Sequence, residues 1–229
     1  MIKYMRTEVL AHLMEEVYPN YYLNDEGHNL NHIAYVLRRS IHFAKQAMEE
    51  YPNINMELVE VIAIYHDAGH HIDRKNHEKV SAEMLRKDEQ LKKFFTDDEI
   101  ELMAEAVEDH RASADHEARS IYGKIVSTAD RSNSVESSLE RTYIYRRKNN
   151  PNISDDEIFE GSYQHLTEKY GISGYAKFYF HDEEYEQFLI DIRSLLSDKD
   201  KFIETQRKYI KEQKTKGKIK IRGEKIWNF

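Results

Sequence analysis

Apolar residues recur at spacings of three and four along most of the chain, which is typical of helices that bury one face. Only 3 Pro and 8 Gly interrupt this pattern, and that scarcity favours long helices over many short strands. The predicted helices cover residues 2–18, 32–50, 56–67, 77–95, 96–110, 117–147, 155–170 and 182–213. The sequence therefore predicts an all-α fold.

Several of these predicted helices carry start and stop signals. Asn55 is suited to cap the helix that Gly69 closes, and Thr96 precedes three acidic residues that favour a first helical turn. The long segment 117–147 is expected to bend or break near residues 130–134. The terminal segment KTKGKIKIRGEKIWNF alternates Lys or Arg with Ile, so it is expected to be a short strand or a basic tail.

Charge and cysteine content restrict the classes of function. A formal net charge of −8 opposes binding to duplex nucleic acid, which requires a basic surface. The absence of Cys removes disulfides and thiolate metal ligands together, and is compatible with a reducing compartment. The first residues lack the apolar core of a signal peptide, and no segment approaches the roughly 20 apolar residues of a membrane span. We therefore expect a cytoplasmic protein that binds neither membranes nor duplex nucleic acid.

The 12 histidines include a group whose placement follows the apolar faces of the predicted helices. A single histidine of this kind is most often a core or boundary residue that bonds to a neighbour. Several of them would each need a separate partner, because an unpaired polar group is costly to bury. One metal site accounts for all of them, and imidazole with carboxylate suits Fe, Mn, Co, Ni or Zn. The residues concerned are His32, His66 with Asp67, His77, His110 and Asp130.

The segment HDAGHH holds the densest group of these side chains. His66 and Asp67 are adjacent and project about 100° apart on a helix, so both reach one ion only near a helix end, which Gly69 supplies. Asp67 has a second oxygen and is therefore able to bridge two ions. His70 follows His66 by one turn, but the Glu of an H-E-x-x-H zinc protease is missing.

In this order, His32, the His66-Asp67 doublet and the distant Asp130 resemble the HD-domain superfamily of metal-dependent phosphohydrolases. The resemblance covers about residues 25–145 and depends on the segments GHNLNHIAYV, HDAGH and IVSTADR. It implies an HD-type helical bundle, which we assign to residues 1–150. A helical C-terminal extension with a basic tail, residues 151–229, is expected to pack on the same domain.

The resemblance also implies a ligand set. His32, His66, Asp67 and Asp130 would bind one divalent metal ion. His77 in NHEKVSAEML and His110 in EDHRAS match the two further histidines of the two-metal branches, which implies two ions per chain with Asp67 as the bridge. Fe, Mn, Co, Ni, Zn and Mg all remain open as the metal.

Two departures from the family pattern bear on the substrate. Tyr35 stands where many relatives carry an Arg. His70-His71 replaces the Lys that follows the HDxG segment in the cyclic-dinucleotide phosphodiesterase branch. A cyclic dinucleotide is therefore a less favoured substrate.

Further residues are candidates for the chemistry. We interpret Asp67 as a catalytic carboxylate and His28, one turn before His32, as a proton donor or a neighbour of the ligands; an ordinary loop histidine is the alternative for His28. Each candidate substrate contact has an ordinary surface residue as its alternative. These candidates are Arg74, Lys75, Arg111, Arg131, Tyr143, Arg146 and Arg147.

Three functions remain open at this level. The favoured one is hydrolysis of a phosphate ester, of a nucleotide or another small molecule, by a metal-activated water. The alternatives are a di-iron oxygenase of the HD type and a non-catalytic, metal-stabilised regulatory module. Cations beside the proposed ligands favour hydrolysis, and the expected partner is then a small phosphorylated substrate. The sequence leaves the oligomeric state and the choice between monoester and diester undetermined.

Overall fold

The computed structural model describes residues 5–217 and residue 219. Within these residues the secondary structure is helical throughout, without strands, so the prediction of an all-α fold is confirmed. The α-helices are α1 Thr7–His12, α2 Leu30–Ala47, α3 Met56–Tyr65, α4 His77–Arg86, α5 Asp97–Asp109, α6 Ile121–Ala129, α7 Val135–Asn149, α8 Asp155–Tyr170, α9 Glu183–Leu196 and α10 Lys199–Thr215.

The chain divides into two compact units. The first contains the described residues up to Arg131 together with Lys177–Phe180, and the second contains Ser132–Ala176 with the described residues from His181 onward. The change of unit after Arg131 precedes the boundary at residue 150 that the sequence suggested. The helices α1 to α6 thus belong to the first unit, and α7 to α10 belong to the second.

Helix α3 is the centre of the first unit. Every residue of this helix is buried except Glu60, because α2, α5 and α6 all pack against it. The neighbouring helices are amphipathic, and their apolar faces complete the core; α4 in turn packs on α5. A helix that is buried on all sides has a fixed axis, so the residues at its end are held in fixed positions.

Several predicted helices are shorter or more divided than the sequence suggested. The break near residues 130–134 occurs as expected, between α6 and α7. The segment 182–213 is divided at Asp198, whose carboxylate accepts from the backbone N–H of Lys201 and begins a new helix. The basic segment at the C-terminus lies outside the described residues beyond Gly217, apart from Ile219.

The predicted N-terminal helix over residues 2–18 is also divided. Helix α1 ends at His12 and is followed by a π-helical turn, Leu13–Val17, and a 3₁₀ helix, Tyr18–Tyr22. The tighter 3₁₀ helix carries Tyr21 into the core, where its hydroxyl donates to the carbonyl of Ile64 at 2.7 Å and accepts from the N–H of Asp67 at 3.2 Å. The contacts of Tyr21 with the end of α3 therefore determine which type of helix forms here.

The second unit has a hydrophobic core of its own. Its buried residues come from α7, α8 and α10 and include Tyr143, Ile158, Phe159 and Ile210. Helix α8 begins with a capping box in which Ser154 and Glu157 satisfy each other's backbone N–H groups. Among the described residues, no helix combines the length and the apolar character that a membrane crossing requires.

A partly buried carboxylate, that of Asp88, joins three segments of the first unit near the end of α3. Asp88 Oδ2 lies 2.5 Å from His12 Nε2 and also accepts from the hydroxyl of Tyr65. Its other oxygen accepts from the backbone N–H groups of Gln90 and Leu91 at 2.9 and 3.0 Å. Burial acts to raise the pKa of Asp88, but the hydrogen bonds from Tyr65 and His12 outweigh it and lower the pKa below its ordinary value.

Replacing Asp88 by Asn should lower the free energy of unfolding at pH 7 by about 1–3 kcal/mol, the usual effect of breaking a charged hydrogen-bond network. The pKa of Asp88 is lower in the folded protein, so its stabilising effect is present above about pH 4. That effect is lost as the pH falls through the folded-state pKa. Urea unfolding of both proteins between pH 2 and 7 should therefore show a stability difference that shrinks in acid.

The exposed Asp115, changed to Asn, is the matched control and should behave like the unaltered protein. A stability difference for Asp88→Asn that stays constant from pH 7 to pH 2 would contradict the assigned network.

Candidate metal centre

The proposed ligands lie at helix ends that meet in the first unit. His66 is the residue after α3, His110 the residue after α5, and Asp130 the residue after α6. His77 is the first residue of α4 and His32 lies in the first turn of α2. The C-terminal ends of three helices thus point at one place, where their partial negative charge favours a cation.

One oxygen of Asp67 faces the first pair of histidines. Asp67 Oδ2 lies 3.3 Å from His32 Nε2 and 3.2 Å from His66 Nε2, and these two nitrogens are 3.2 Å apart. Asp130 Oδ1 lies 3.1 Å from His32 Nε2, at the edge of this group. The structure therefore brings together two imidazoles and two carboxylates.

The other oxygen of Asp67 faces the second pair. Asp67 Oδ1 lies 3.4 Å from His77 Nε2 and 3.7 Å from His110 Nε2, and the two nitrogens are 3.1 Å apart. This oxygen is buried and has no hydrogen-bond partner among the described residues. A buried carboxylate oxygen without a partner is costly, so a cation between these three atoms would satisfy it.

Backbone carbonyls fix the orientation of three of the imidazoles. Nδ1 of His66, His77 and His110 lies 2.7, 3.0 and 2.6 Å from the carbonyl oxygens of Ala63, Arg74 and Val107, each three residues earlier. Because a carbonyl only accepts, Nδ1 carries the proton and Nε2 presents its lone pair. Lone pairs that face one another at about 3 Å repel unless a cation lies between them.

The separations of the donor atoms match those of metal ligands. Bonds of about 2.1 Å at angles between 90° and 109° place neighbouring donors about 3.0–3.4 Å apart. All but one of the separations around Asp67 lie between 3.1 and 3.4 Å. The donor set therefore fits divalent ions, with His32, His66 and Asp67 in the first group and Asp67, His77 and His110 in the second. Asp130 lies beside the first group through its contact with His32.

The electrostatics of the centre agree with this donor set. Burial acts to raise the pKa of Asp67 and Asp130, but the imidazoles around them outweigh it and keep both pKa values below the ordinary range. Burial and the neighbouring His77 lower the pKa of His110 to about 3. Burial also acts to lower the pKa of His32, yet its hydrogen bonds to Asp130 and Asp67 raise the pKa to about 9. Without a metal, a proton on His32 thus supplies part of the positive charge that two ionised carboxylates require.

Comparison with known proteins identifies the part of the chain that carries this centre. Residues 33–133 match the family described as HD domain. This chain contains an HD domain. The match begins one residue after His32 and includes the other five proposed ligands. No curated protein and no solved structure matches the chain. The HD domain belongs to a superfamily of metal-dependent hydrolases, and its His and Asp clusters indicate a site for divalent metal ions.

Two of the arginines expected to bind substrate are engaged elsewhere in the HD domain. Arg131 is only 2% exposed, and its guanidinium donates to the carbonyl of His110 at 3.1 Å and to Ser127 Oγ at 2.6 Å. Arg111 pairs with Glu78 at 3.1 Å and donates to the carbonyl of Lys75. These contacts hold the end of α5 and the loop before α4 in place. Both arginines therefore help to hold the segments that carry His77 and His110.

The remaining expected substrate contacts divide between the two units. Arg74 pairs with Asp25 at 2.8 Å in the first unit, and the side chain of Lys75 is exposed. In the second unit, Tyr143 is buried and donates to Asp155 at 2.7 Å. Its neighbours bond locally as well: Arg146 to the carbonyl of Gly161 at 2.5 Å, and Arg147 to Asp155 and to the carbonyls of Pro151 and Ile153.

The structure adds two residues that the sequence analysis left without a role. Asp25 Oδ1 lies 2.6 Å from His28 Nδ1, and the imidazole of His70 stacks on that of His28 with ring centroids 4.0 Å apart. Burial and the nearby His28 lower the pKa of His70 to about 4, so this ring is neutral at pH 7. The spacing Asp25-x-x-His28 was visible in the sequence; the stacking of His28 on His70 was not.

Gly69 allows the loop after the HD doublet to approach α4 closely. Its backbone N–H donates to Ser81 Oγ at 2.9 Å. A Cβ at this position would lie 2.6 Å from Val80 Cγ1 and 2.9 Å from the backbone nitrogen of Ser81, which is too close. The glycine therefore fixes the distance between Asp67 and His77.

Gly69→Ala should displace the first turn of α4, lowering the free energy of unfolding by about 1–3 kcal/mol, as overpacking usually does. It should also weaken metal binding at the His77 group. Ser81→Ala removes only the hydrogen bond, so it should lower the free energy of unfolding and the metal affinity by less than Gly69→Ala. Urea unfolding measures the stability of both variants, and Mn²⁺ titration measures their metal affinity. Equal losses in Gly69→Ala and Ser81→Ala would contradict the role assigned to Gly69.

Titration of the metal-free protein with Mn²⁺ should reveal two ions per chain with unequal affinities, the tighter one at the group that Asp130 adjoins. His77→Ala and His110→Ala should each reduce the stoichiometry to one. Asp67→Asn should weaken both sites by more than the roughly 10–100-fold effect of a residue that only supports a ligand.

His116→Ala is the control for that titration, because the side chain of His116 is 48% exposed and lies outside the proposed ligand set. A single ion in the unaltered protein, with stoichiometry unchanged in His77→Ala, would refute the second site.

Proposed function

We propose that this HD domain is a metal-dependent phosphohydrolase that cleaves a phosphate ester of a nucleotide or another small molecule. The observation that carries the proposal is the position of Asp67, whose two oxygens each face a separate pair of histidines. A carboxylate shared in this way is the usual bridge of a two-metal site for phosphoryl transfer. His32, His66 and Asp130 would hold one ion, and His77 and His110 the other.

A pair of divalent ions at this position supplies two effects when bound: it lowers the pKa of a water molecule and neutralises negative charge on a phosphoryl group. The residues of the chain then have defined tasks. Asp67 sets the spacing of the pair, and His66, His77 and His110 are kept in one tautomer by their carbonyl partners. Asp130 adds a second carboxylate on one side only.

The small donor sets suggest how the substrate binds. Each group brings three protein donors together, with Asp67 shared, so each leaves coordination positions for oxygen atoms of a substrate or water. Open positions of this kind support a catalytic role over a purely structural one, because structural metal sites are usually closed by protein ligands.

The purified protein, stripped of metal and then supplied in turn with Mn²⁺, Fe²⁺, Co²⁺, Ni²⁺, Zn²⁺ and Mg²⁺, should release phosphate or a nucleotide product from at least one phosphate ester. A panel of nucleoside mono-, di- and triphosphates, small phosphomonoesters and a phosphodiester would define the class. If no ester is hydrolysed with any metal and the Fe²⁺ form consumes oxygen, the protein is an oxygenase and the proposed hydrolase function is wrong.

Asp67→Asn should reduce turnover by roughly 100-fold or more, since it removes the ligand shared by both proposed ions. A readout independent of turnover is the melting temperature. Chelation should lower it in the unaltered protein, because ions that bind only the folded state stabilise that state. In Asp67→Asn the chelator should have little effect.

His116→Ala should retain both the turnover and the chelator response. An Asp67→Asn protein with full activity and a full chelator response would show that the active centre lies elsewhere.

A further inference from the structure

Four residues from the connection between α8 and α9 belong to the first unit, although the residues on both sides of them belong to the second. This segment, Lys177–Phe180, which we call the strap, lies outside the residues 33–133 that match the HD domain. The strap is not helical, so its buried backbone N–H and C=O groups require partners from other parts of the first unit.

Side chains at the end of α6 supply partners for the backbone of the strap. Thr128 Oγ1 accepts from the backbone N–H of Tyr179 at 3.1 Å, and Arg131 Nε donates to the carbonyl of Lys177 at 3.3 Å. Thr128 is fully buried and Arg131 is 2% exposed. The strap therefore bonds to residues on both sides of the proposed ligand Asp130 in the sequence.

Arg131 also connects the strap to the second pair of histidines. One terminal nitrogen of its guanidinium donates to the carbonyl of His110 at 3.1 Å, and the other donates to Ser127 Oγ at 2.6 Å. His110 is the residue after α5, where backbone carbonyls lack partners within the helix. A guanidinium is planar and holds its donors in a fixed geometry. A shift of the Lys177 carbonyl therefore changes the position in which Arg131 holds His110.

The side chain of Tyr179 attaches the strap to the segment that precedes α6. Its hydroxyl donates to Glu117 Oε2 at 2.8 Å and accepts from the backbone N–H of Ala118 at 3.3 Å. Lys177 Nζ bonds to the other oxygen of Glu117 at 2.5 Å, but this pair is exposed and contributes little. Tyr179 is partly buried, so it is the side chain that fixes the strap most firmly.

The first group of ligands has supports of a different origin. His66 Nδ1 bonds to the carbonyl of Ala63 within α3. The backbone of Asp67 is held by the hydroxyl of Tyr21 and by the amide of Asn24. These supports come from α3 and from residues that precede it. A change in the strap should therefore affect the second group of ligands more than the first.

We infer that the strap positions His110 and thereby sets the affinity of the second ion, which is the one proposed at His77 and His110. Tyr179 and Arg131 are the positioning residues, and they act on the ion through His110. This inference rests on the two-ion centre of the proposed function and does not depend on the reaction that the centre performs.

Titration of the metal-free protein with Mn²⁺ measures the effect of the strap. Tyr179→Phe removes both hydrogen bonds of the hydroxyl and should weaken binding of the second ion by roughly tenfold, the lower end of the effect of a group that supports a ligand. Arg131→Lys keeps the charge but loses the fixed geometry of the guanidinium. It should weaken the second ion by up to roughly 100-fold. Neither change should alter the affinity of the first ion.

Tyr122→Phe is the matched control. The hydroxyl of Tyr122 accepts from the backbone N–H of Asn55 at 2.9 Å, so the same chemical change removes a hydrogen bond in the same unit. This variant should be less stable but should bind both ions with unchanged affinity. His77→Ala is expected to retain only the first ion, and adding Tyr179→Phe to it should leave the remaining affinity unchanged.

The effect must also operate in the reverse direction. If the strap raises the affinity of the second ion, binding of that ion stabilises the strap by the same free energy. Hydrogen exchange of residues 177–180, followed by mass spectrometry, should therefore slow when Mn²⁺ saturates the unaltered protein. His77→Ala should not show this change. The measurement requires no substitution in the strap, so it tests the inference even if Arg131→Lys does not fold.

Equal weakening of both ions in Tyr179→Phe would indicate general loss of folded structure and would overturn the inference. Unchanged affinity of the second ion, with unchanged exchange of the strap, would overturn it as well. A protein that binds one ion would remove the second site and the role of the strap together. If no phosphate ester is hydrolysed but Tyr179→Phe selectively weakens the second ion, the proposed reaction is wrong and the role of the strap stands.

Discussion

The first unit is organised around one electrostatic constraint, a buried carboxylate enclosed by imidazoles. Asp67 is 2% exposed, and its two oxygens face the Nε2 atoms of four histidines, three of which direct lone pairs into the centre. An isolated charge at this depth would be strongly destabilising, and so would facing lone pairs at about 3 Å. Cations between the donor atoms would relieve both costs, so metal binding would stabilise the fold. The same constraint explains why Oδ1 of Asp67 has no partner within the described residues.

Rigid supports keep these polar groups in place. Helix α3 is buried along nearly its whole length, and the hydroxyl of Tyr21 accepts from the backbone N–H of Asp67 just past its end. Asn24 donates to the carbonyl of the same residue at 3.0 Å. Arg131 joins the carbonyl of His110 to Ser127, one turn before the end of α6. Backbone contacts of this kind fix the ligands to within a fraction of an ångström, which a metal site requires.

The arginines that the sequence suggested as substrate contacts bond to groups of the protein itself. Arg131 and Arg111 follow proposed ligands directly in sequence, yet both bond to backbone carbonyls that position the centre. Tyr143, Arg146 and Arg147 bond within the second unit, close to its own core. These cations therefore stabilise the structure of each unit.

The sequence by itself determined the all-α fold and the set of residues that meet at the centre, because both follow from local order. The 3.6-residue period marks the buried face of each helix, and a His or Asp at the end of such a face points into the same core. Only the tertiary structure decided which oxygen of Asp67 meets which histidines, that Arg131 is buried, and that His70 stacks on His28. Those outcomes depend on distances between helices that are far apart in the sequence. The tertiary structure also decided that two long predicted helices are divided, at Asp198 and after His12. Periodicity carries no information about such distances.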